Sequence, residues 1–299
     1  MNPKIKKALQ DPYYACELVL NQLARYVSDE NYVKWKYYLN FRKALNLDNP
    51  QTFNEKLQWL KLNDQHEEYT QIVDKYEAKK YISSILGEDF VIPTLGVYDS
   101  FDDIDFEVLP QQFVLKCTHN SGGVVICRDK EKLDIKKAKL KFEKWLGVNP
   151  FWKNREYPYK NIKPRIIAEQ YMTNDDSSLE LTDYKFFCFD GYVDCVMVCL
   201  DRHLNDTKFY FFNKDWELLR LNIRGKKAPE GFTIPKPKTM DEMFAIASQL
   251  SKGMKFVRID LYEIRGHVYF GEYTFFPDSG LDPNLLPETD RYFGDLIKL

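Results

Sequence analysis

The chain has no run approaching ~20 uncharged apolar residues, the length a membrane-crossing helix needs, so no transmembrane segment is expected. Its basic start, Met1 to Lys7, runs into Asp11 and Pro12 instead of the apolar core of a secretory leader. Charge of one sign is also missing. A formal net charge of −2 gives no global pull toward nucleic acid. The six cysteines, Cys16, Cys117, Cys127, Cys188, Cys195 and Cys199, include no C-x-x-C pair, which removes the usual zinc and dithiol signatures. Four of them lie in apolar strand-like runs, as buried free thiols do, and a reduced cytoplasmic protein is expected. The four histidines show no metal-ligand spacing, and no Ser-His-Asp or Cys-His arrangement can be argued. Internal repeats and low-complexity tracts are absent.

What remains is a 299-residue chain, 44% hydrophobic and 15% aromatic, able to bury one large core or several small ones. Residues 13–48 carry Leu, Tyr and Trp at helical spacings. Thr52 and Glu55 read as the N-cap and closing acid of a capping box. A helix is expected over Asp74 to Leu86, ended by Gly87, with a strand near Val91 to Tyr98. Gln112–Leu115, Val124–Cys127 and Ile166–Gln170 are β-type runs around a helix at about 133–146. Its exposed face would carry Lys136, Lys137, Lys141 and Lys144. Beyond residue 183 strands dominate (183–190, 192–200, 208–212), followed by a helix at 240–252. Pro229 to Pro237 reads as a surface loop. Strands without strict βαβ alternation predict an α+β fold.

Two segments point to chemistry. Val257 to Tyr262 and Val268 to Phe275 flank an Arg265-Gly266 turn, so a hairpin would bring Asp260 and Glu272 within reach of one cation. Oxygen donors of this kind suit magnesium. Upstream, Lys116 leads the loop Cys117-Thr118-His119-Asn120-Ser121-Gly122-Gly123, whose backbone N–H groups could face phosphates. Together these blocks suggest Mg-ATP.

The order of blocks carries a resemblance. Asp74-Lys75-x-x-x-Lys79, Lys116 before Ser121-Gly122-Gly123, Glu169-Gln170-Tyr171-Met172, and Arg258-x-Asp260…Glu272-x-Thr274 resemble the ATP-grasp superfamily over about 70–299. Asn49-Pro50-x-Thr52-Phe53-Asn54-Glu55-Lys56-Leu57-x-Trp59 and the ending Thr274-Phe275-x-Pro277-x-Ser279-Gly280 look like its TupA-like branch. That branch comprises amidoligases associated with teichuronopeptide and capsular-polysaccharide synthesis. The resemblance implies an N-terminal helical region over 1–70 and an α/β segment over 71–112. A lid over 113–173 and a mostly β C-terminal subdomain over 174–299, holding Mg-ATP, would follow.

By the same resemblance, Asp260 and Glu272 would ligate magnesium, with Thr274 standing where the family usually has Asn. Lys79 would contact the α-phosphate and Lys116 the phosphate and adenine side, and Thr118, Ser121, Gly122 and Gly123 would form the phosphate loop. Glu169 and the backbone of Gln170 and Met172 would border the adenine, with Asp176 on the ribose. Arg258 would stabilise transferring charge, and Lys185 is read either as a further phosphate ligand or as half of a cross-strand ion pair. His119 could donate to the γ-phosphate or be structural. The implied reaction joins a carboxylate to an amine at the expense of ATP, on small-molecule or glycan substrates, with peripheral association with a glycan assembly complex. A glycosyltransferase, for which Asp103-Ile104-Asp105 has the acidic spacing, a sugar kinase, and a catalytically silent ATP-binding partner are the alternatives.

Overall fold

The computed structural model describes residues 3–174, 181–200 and 207–299. Six helices come first: α1 (Pro3–Gln10), α2 (Pro12–Gln22), α3 (Asp29–Phe41), α4 (Phe53–Asn63), α5 (Glu67–Val73) and α6 (Glu77–Leu86). At the start of α4 the Thr52 hydroxyl accepts from the Glu55 N–H, and the Glu55 carboxylate accepts from the Thr52 N–H, the reciprocal box expected there. Thr52→Ala should therefore lower stability by about 1 kcal/mol, measurable by urea denaturation. Gly87 ends α6 at φ 105°, a conformation that favours glycine.

Two sheets follow. The smaller contains β1 (Thr94–Tyr98), β2 (Phe113–Cys117), β3 (Val124–Cys127) and, after helices α7 (Ile135–Leu146) and α8 (Phe151–Asn154), β4 (Ile166–Gln170). Its order is β1-β4-β2-β3, with every adjacent pair antiparallel. Because β1 pairs with β4, the segment over 71–112 contributes a strand to the sheet of the expected lid. One face packs Phe113, Leu115, Ile166 and Ala168 against Phe142 of α7. Alternation along the strands places Val114, Lys116, Ile167 and Glu169 on the other face.

The larger sheet is built from β5 (Asp183–Phe189), β6 (Tyr192–Leu200), β7 (Lys208–Phe212) and β8 (Leu218–Leu219). After α9 (Ile223–Lys226) and α10 (Met240–Leu250), it is completed by β9 (Val257–Ile264) and β10 (His267–Thr274). The order is β10-β9-β5-β6-β7-β8. Phe186, Ile259 and Leu261 turn toward α10, where the Phe186 and Phe244 rings meet edge-on at 5.1 Å. A final helix, α11 (Pro287–Leu296), has no counterpart in the sequence reading; its Phe293 docks at 5.5 Å from Phe53 of α4, which ties the chain ends together. Cys117, Cys127, Cys188, Cys195 and Cys199 are buried free thiols, while Cys16 is exposed. The aromatic preface divides: Tyr32 and Tyr37 are buried, whereas Trp35 and Tyr38 are exposed.

Candidate active site

The β9–β10 hairpin turns through Arg265 and Gly266, both at positive φ (53° and 78°), the pair of conformations a tight two-residue turn requires. Regular pairing from that turn would set Gly271 opposite Asp260 and put Glu272 on the core face. A bulge at Gly271 shifts the register, so that Glu272 pairs with Asp260 and Thr274 with Arg258. The two acids thereby share one face. Glycine is needed there: a Cβ at 271 would sit 2.8 Å from the Asp260 carbonyl oxygen. Gly271→Ala should cost about 1–3 kcal/mol in a thermal melt and misplace Glu272. An isolated glycine within a strand pattern is the sequence signal for such a bulge.

Across β5, Lys185 pairs in register with Asp260, and its ammonium bonds to Asp260 Oδ2. Arg258 holds the same carboxylate in a fork, Nε to Oδ1 at 2.6 Å and Nη2 to Oδ2 at 2.8 Å. Arg258 Nη2 also donates to Thr274 Oγ1 at 3.0 Å and approaches Glu272 Oε1 at 3.4 Å. Asp260 is only 1% exposed. Burial alone would raise its pKa, yet the Arg258 and Lys185 charges outweigh that and hold the carboxyl below its ordinary value. Burial likewise opposes the Arg258 charge, and Asp260 more than compensates, raising its pKa. Asp183, also buried, lies 4.0 Å from Lys185. Lys185 is thus the cross-strand ion-pair partner of Asp260, on the same face as the two acids.

Among the described residues no group of three His, Cys, Asp or Glu side chains is arranged to hold a metal alone. Two carboxylates and a hydroxyl nevertheless suit magnesium, which keeps several positions for phosphate oxygens and water. The donor set at Asp260, Glu272 and Thr274 fits that ion.

On the smaller sheet, Glu169 gathers both expected lysines. Lys79 from α6 bonds to Oε1, and Lys116 from β2 bonds to Oε2 at 2.6 Å. Lys79 also donates to the Ile92 carbonyl at 2.6 Å and to Thr94 Oγ1 at 3.2 Å. Burial would push the Glu169 carboxyl up, but Lys116 and Lys79 bring it down to about 2. Burial also lowers the Lys79 amine, against the pull of Glu169. Two cations on one carboxylate leave a net positive charge, which suits a polyphosphate.

The loop after Lys116 differs from an open backbone cradle. Asn120 Oδ1 accepts from the N–H groups of Gly122 and Gly123, each at 3.1 Å, so those donors are spent inside the loop. The Trp145 ring occupies the space a Gly122 side chain would need, and Cys117 Sγ fills that of Gly123. Thr118 is fully buried, its N–H donating to Arg165 O; Ser121 is the exposed member. His119 does not face outward: its Nε2 lies 3.2 and 3.1 Å from the carbonyl oxygens of Trp145 and Val148, and burial lowers its pKa. That position corrects the reading of His119 as a phosphate donor and supports the structural one. Gln170 is exposed and its N–H donates to Pro93 O; Met172 follows in irregular chain. Asp176 lies outside the described residues. Asp103 and Asp105 serve local turns, accepting from the N–H groups of Ser100 and Glu107.

Two antiparallel sheets, one presenting a lysine pair and the other an Arg-Asp-Glu hairpin, form the α+β ATP-grasp fold. The family model for TupA-like ATP-grasp proteins matches residues 55–298, and the chain belongs to that family. No curated protein matches the chain by sequence. Among solved structures it is similar to the D-alanine–D-alanine ligase of Bacillus anthracis in complex with ATP (19% identity over 76% of this chain and 65% of that one, TM-score 0.47). It is also similar to the ATP-grasp ligase PsnB with a phosphomimetic precursor variant, Mg and ADP (12%, 82% and 65%, TM-score 0.42). A third likeness is to the D-cycloserine synthetase DcsG (13%, 76% and 69%, TM-score 0.42). The chain spans 65% of the length of the Bacillus anthracis ligase. No helix among the described residues is long and apolar enough to cross a membrane.

Proposed function

We propose that this protein is an ATP-dependent carboxylate–amine ligase that acts through an acylphosphate. The observation that carries the reading is the shared face of Arg258, Lys185, Asp260, Glu272 and Thr274, together with the Lys79–Glu169–Lys116 cluster. Asp260 and Glu272, with Thr274, would hold magnesium, which neutralises phosphate charge when bound. Lys79 and Lys116 bind the phosphates, while the backbone at Gln170 and Met172 borders the adenine. Of the loop after Lys116, the exposed Ser121 is the member left to contact the phosphates.

A carboxylate oxygen of the acceptor attacks the γ-phosphorus, the bond to the β–γ bridging oxygen breaks, and ADP leaves. The amine nitrogen then attacks the acyl carbon, phosphate departs and a proton is released. Arg258 and Lys185, on the same face as the two acids, would stabilise the transferring and tetrahedral charge. Covering by the lid over 113–173 keeps water from the acylphosphate. Membership of the TupA-like family supports a uronic-acid sugar, or an amino acid joined to one, as substrate in teichuronopeptide or capsular-polysaccharide assembly in the cytoplasm. Peripheral association with a glycan assembly complex would fit the same role.

The test is incubation with Mg-ATP, candidate uronic acids and amines, following ADP release and product mass. ADP that appears only with a carboxylate, and an amide mass when an amine is added, are expected. A product heavier by a phosphate would replace the ligase with a kinase, and consumption of a nucleotide sugar without ATP would overturn the reading.

A further inference from the structure

A cavity of about 270 Å³ lies where α2 and α3 meet the segment after β10. Glu17 and Lys36 line it from the helices, Lys153 and Asn154 from α8, and Asp278 and Ser279 from the chain that leaves the hairpin. Two of its walls precede the family match, which begins at residue 55. The cavity is therefore a feature of this chain's N-terminal helices and not of the matched ATP-grasp region alone.

Its floor is a strained corner. Asp278 and Ser279 are consecutive non-glycine residues in the left-handed region (φ 47° and 56°), a conformation that costs roughly 1–2 kcal/mol for each. Surrounding groups fix it. Gln58 Nε2 donates to the carbonyls of Ser279 and Gly280 at 3.0 and 2.7 Å, and fully buried Lys61 donates to Ser279 O at 2.7 Å. Ser279 Oγ donates to the Glu156 carboxylate at 2.6 Å. Strain held in place by buried partners is a mark of functional corners. The corner follows the reaction centre directly along the chain, since β10 ends at Thr274 and the turn that holds Asp278 begins at Pro277.

The lining carries both signs. Asp278, Asp282 and Glu17 suit an ammonium, and Lys36 and Lys153 suit a carboxylate. Lys36 is only 6% exposed, donates to Lys153 O at 2.6 Å and approaches Asn154 Oδ1 at 3.4 Å and Glu17 at 3.8 Å. Burial draws its amine down to about 8, against the pull of Glu17, so an anion beside it would offset the desolvation that its charge bears.

We infer that this cavity binds the amine substrate as a zwitterion, an amino acid or the amino-acid end of a larger molecule. The ammonium lies on Asp278, and the carboxylate lies on Lys36 and Lys153. The inference rests on the ligase reading for what happens to that amine next, but the pocket can be tested without turnover.

Saturation-transfer NMR and calorimetry on the full chain with L-serine, L-glutamate and L-lysine, against succinate and methylamine as single-charge controls, provide that test. The amino acids should bind, with the controls at least about tenfold weaker. Asp278→Asn, which keeps a residue tolerant of positive φ while removing the charge, should weaken amino-acid binding about tenfold or more. Asn40→Trp, at an exposed position on the cavity rim, should block it without disturbing the fold. Absence of amino-acid binding to the wild type, or unchanged binding in both variants, would overturn the pocket. The ligase reading is scored separately with hydroxylamine, a nucleophile small enough to bypass the cavity. Hydroxamate formation kept in Asn40→Trp, with the amino-acid amide lost, supports both, whereas failure of carboxylate-dependent ADP release in the wild type removes only the ligase reading.

Discussion

Glu272→Gln is expected to reduce kcat by on the order of 10²–10³ while leaving the melting temperature within about 2 °C of the wild type. The separation of the two effects follows from where Glu272 sits. Its side chain is 43% exposed, and its contacts on the shared face, to Arg258 Nη2 at 3.4 Å and Thr274 Oγ1 at 3.3 Å, are long. Little folding energy depends on it. Its value lies in a charge placed beside Asp260 by the Gly271 bulge. Glutamine keeps the shape and one oxygen but removes the negative charge that a divalent cation requires. Asp260→Asn is a poorer experiment, because it also leaves Arg258 and Lys185 facing each other without their common buried anion. Steady-state kinetics and a thermal melt on Glu272→Gln, side by side, check the prediction. Full activity would remove the hairpin from the reaction.

The hairpin was legible because both of its signals are local: alternating apolar residues of period two, and a two-residue Arg265-Gly266 turn. The capping box at Thr52 and Glu55 was legible for the same reason. Lys79, Lys116 and Glu169 could be named from their order, but not their meeting. Glu169 is 90 residues from Lys79 along the chain, and the contact depends on β4 inserting between β1 and β2. The Lys185–Asp260 pair likewise depends on β5 lying beside β9. Helix α11 escaped because its apolar positions, Phe293 among them, face α4 across the whole length of the sequence. Loop chemistry misled in the opposite direction. Ser121-Gly122-Gly123 reads as an open anion cradle, yet Asn120 closes it and Trp145 packs where side chains are missing. The corner at Asp278 and Ser279 carries only the weak signal of an aspartate at positive φ, and its conformation is fixed by Gln58 and Lys61 from α4.

Glu169→Gln should produce a large loss of stability, and the loss should depend on pH in a defined direction. Glu169 is 4% exposed and bonds Lys79 and Lys116 at once. Glutamine would leave two lysines crowded around a neutral group, and removing one partner from a buried ionic cluster typically costs about 3–5 kcal/mol. For a chain of this size that corresponds to a fall in Tm of roughly 5–8 °C. The carboxyl is held at about 2 in the folded protein against an ordinary value of 4.5. A depressed folded pKa means that the unfolded chain binds the proton first as pH drops. The stabilisation, roughly 3 kcal/mol from the size of that depression, is therefore fully present above about 4.5 and is lost as pH falls toward about 2. Glutamine cannot titrate, so the gap in stability between wild type and variant should be constant from pH 7 to about 5 and should narrow below it. Urea denaturation of both proteins at pH 7, 5, 4 and 3 reads the gap directly. A gap independent of pH would mean that the two lysines do not hold Glu169 ionised, and the positive platform assigned to the ATP phosphates would lose its anchor.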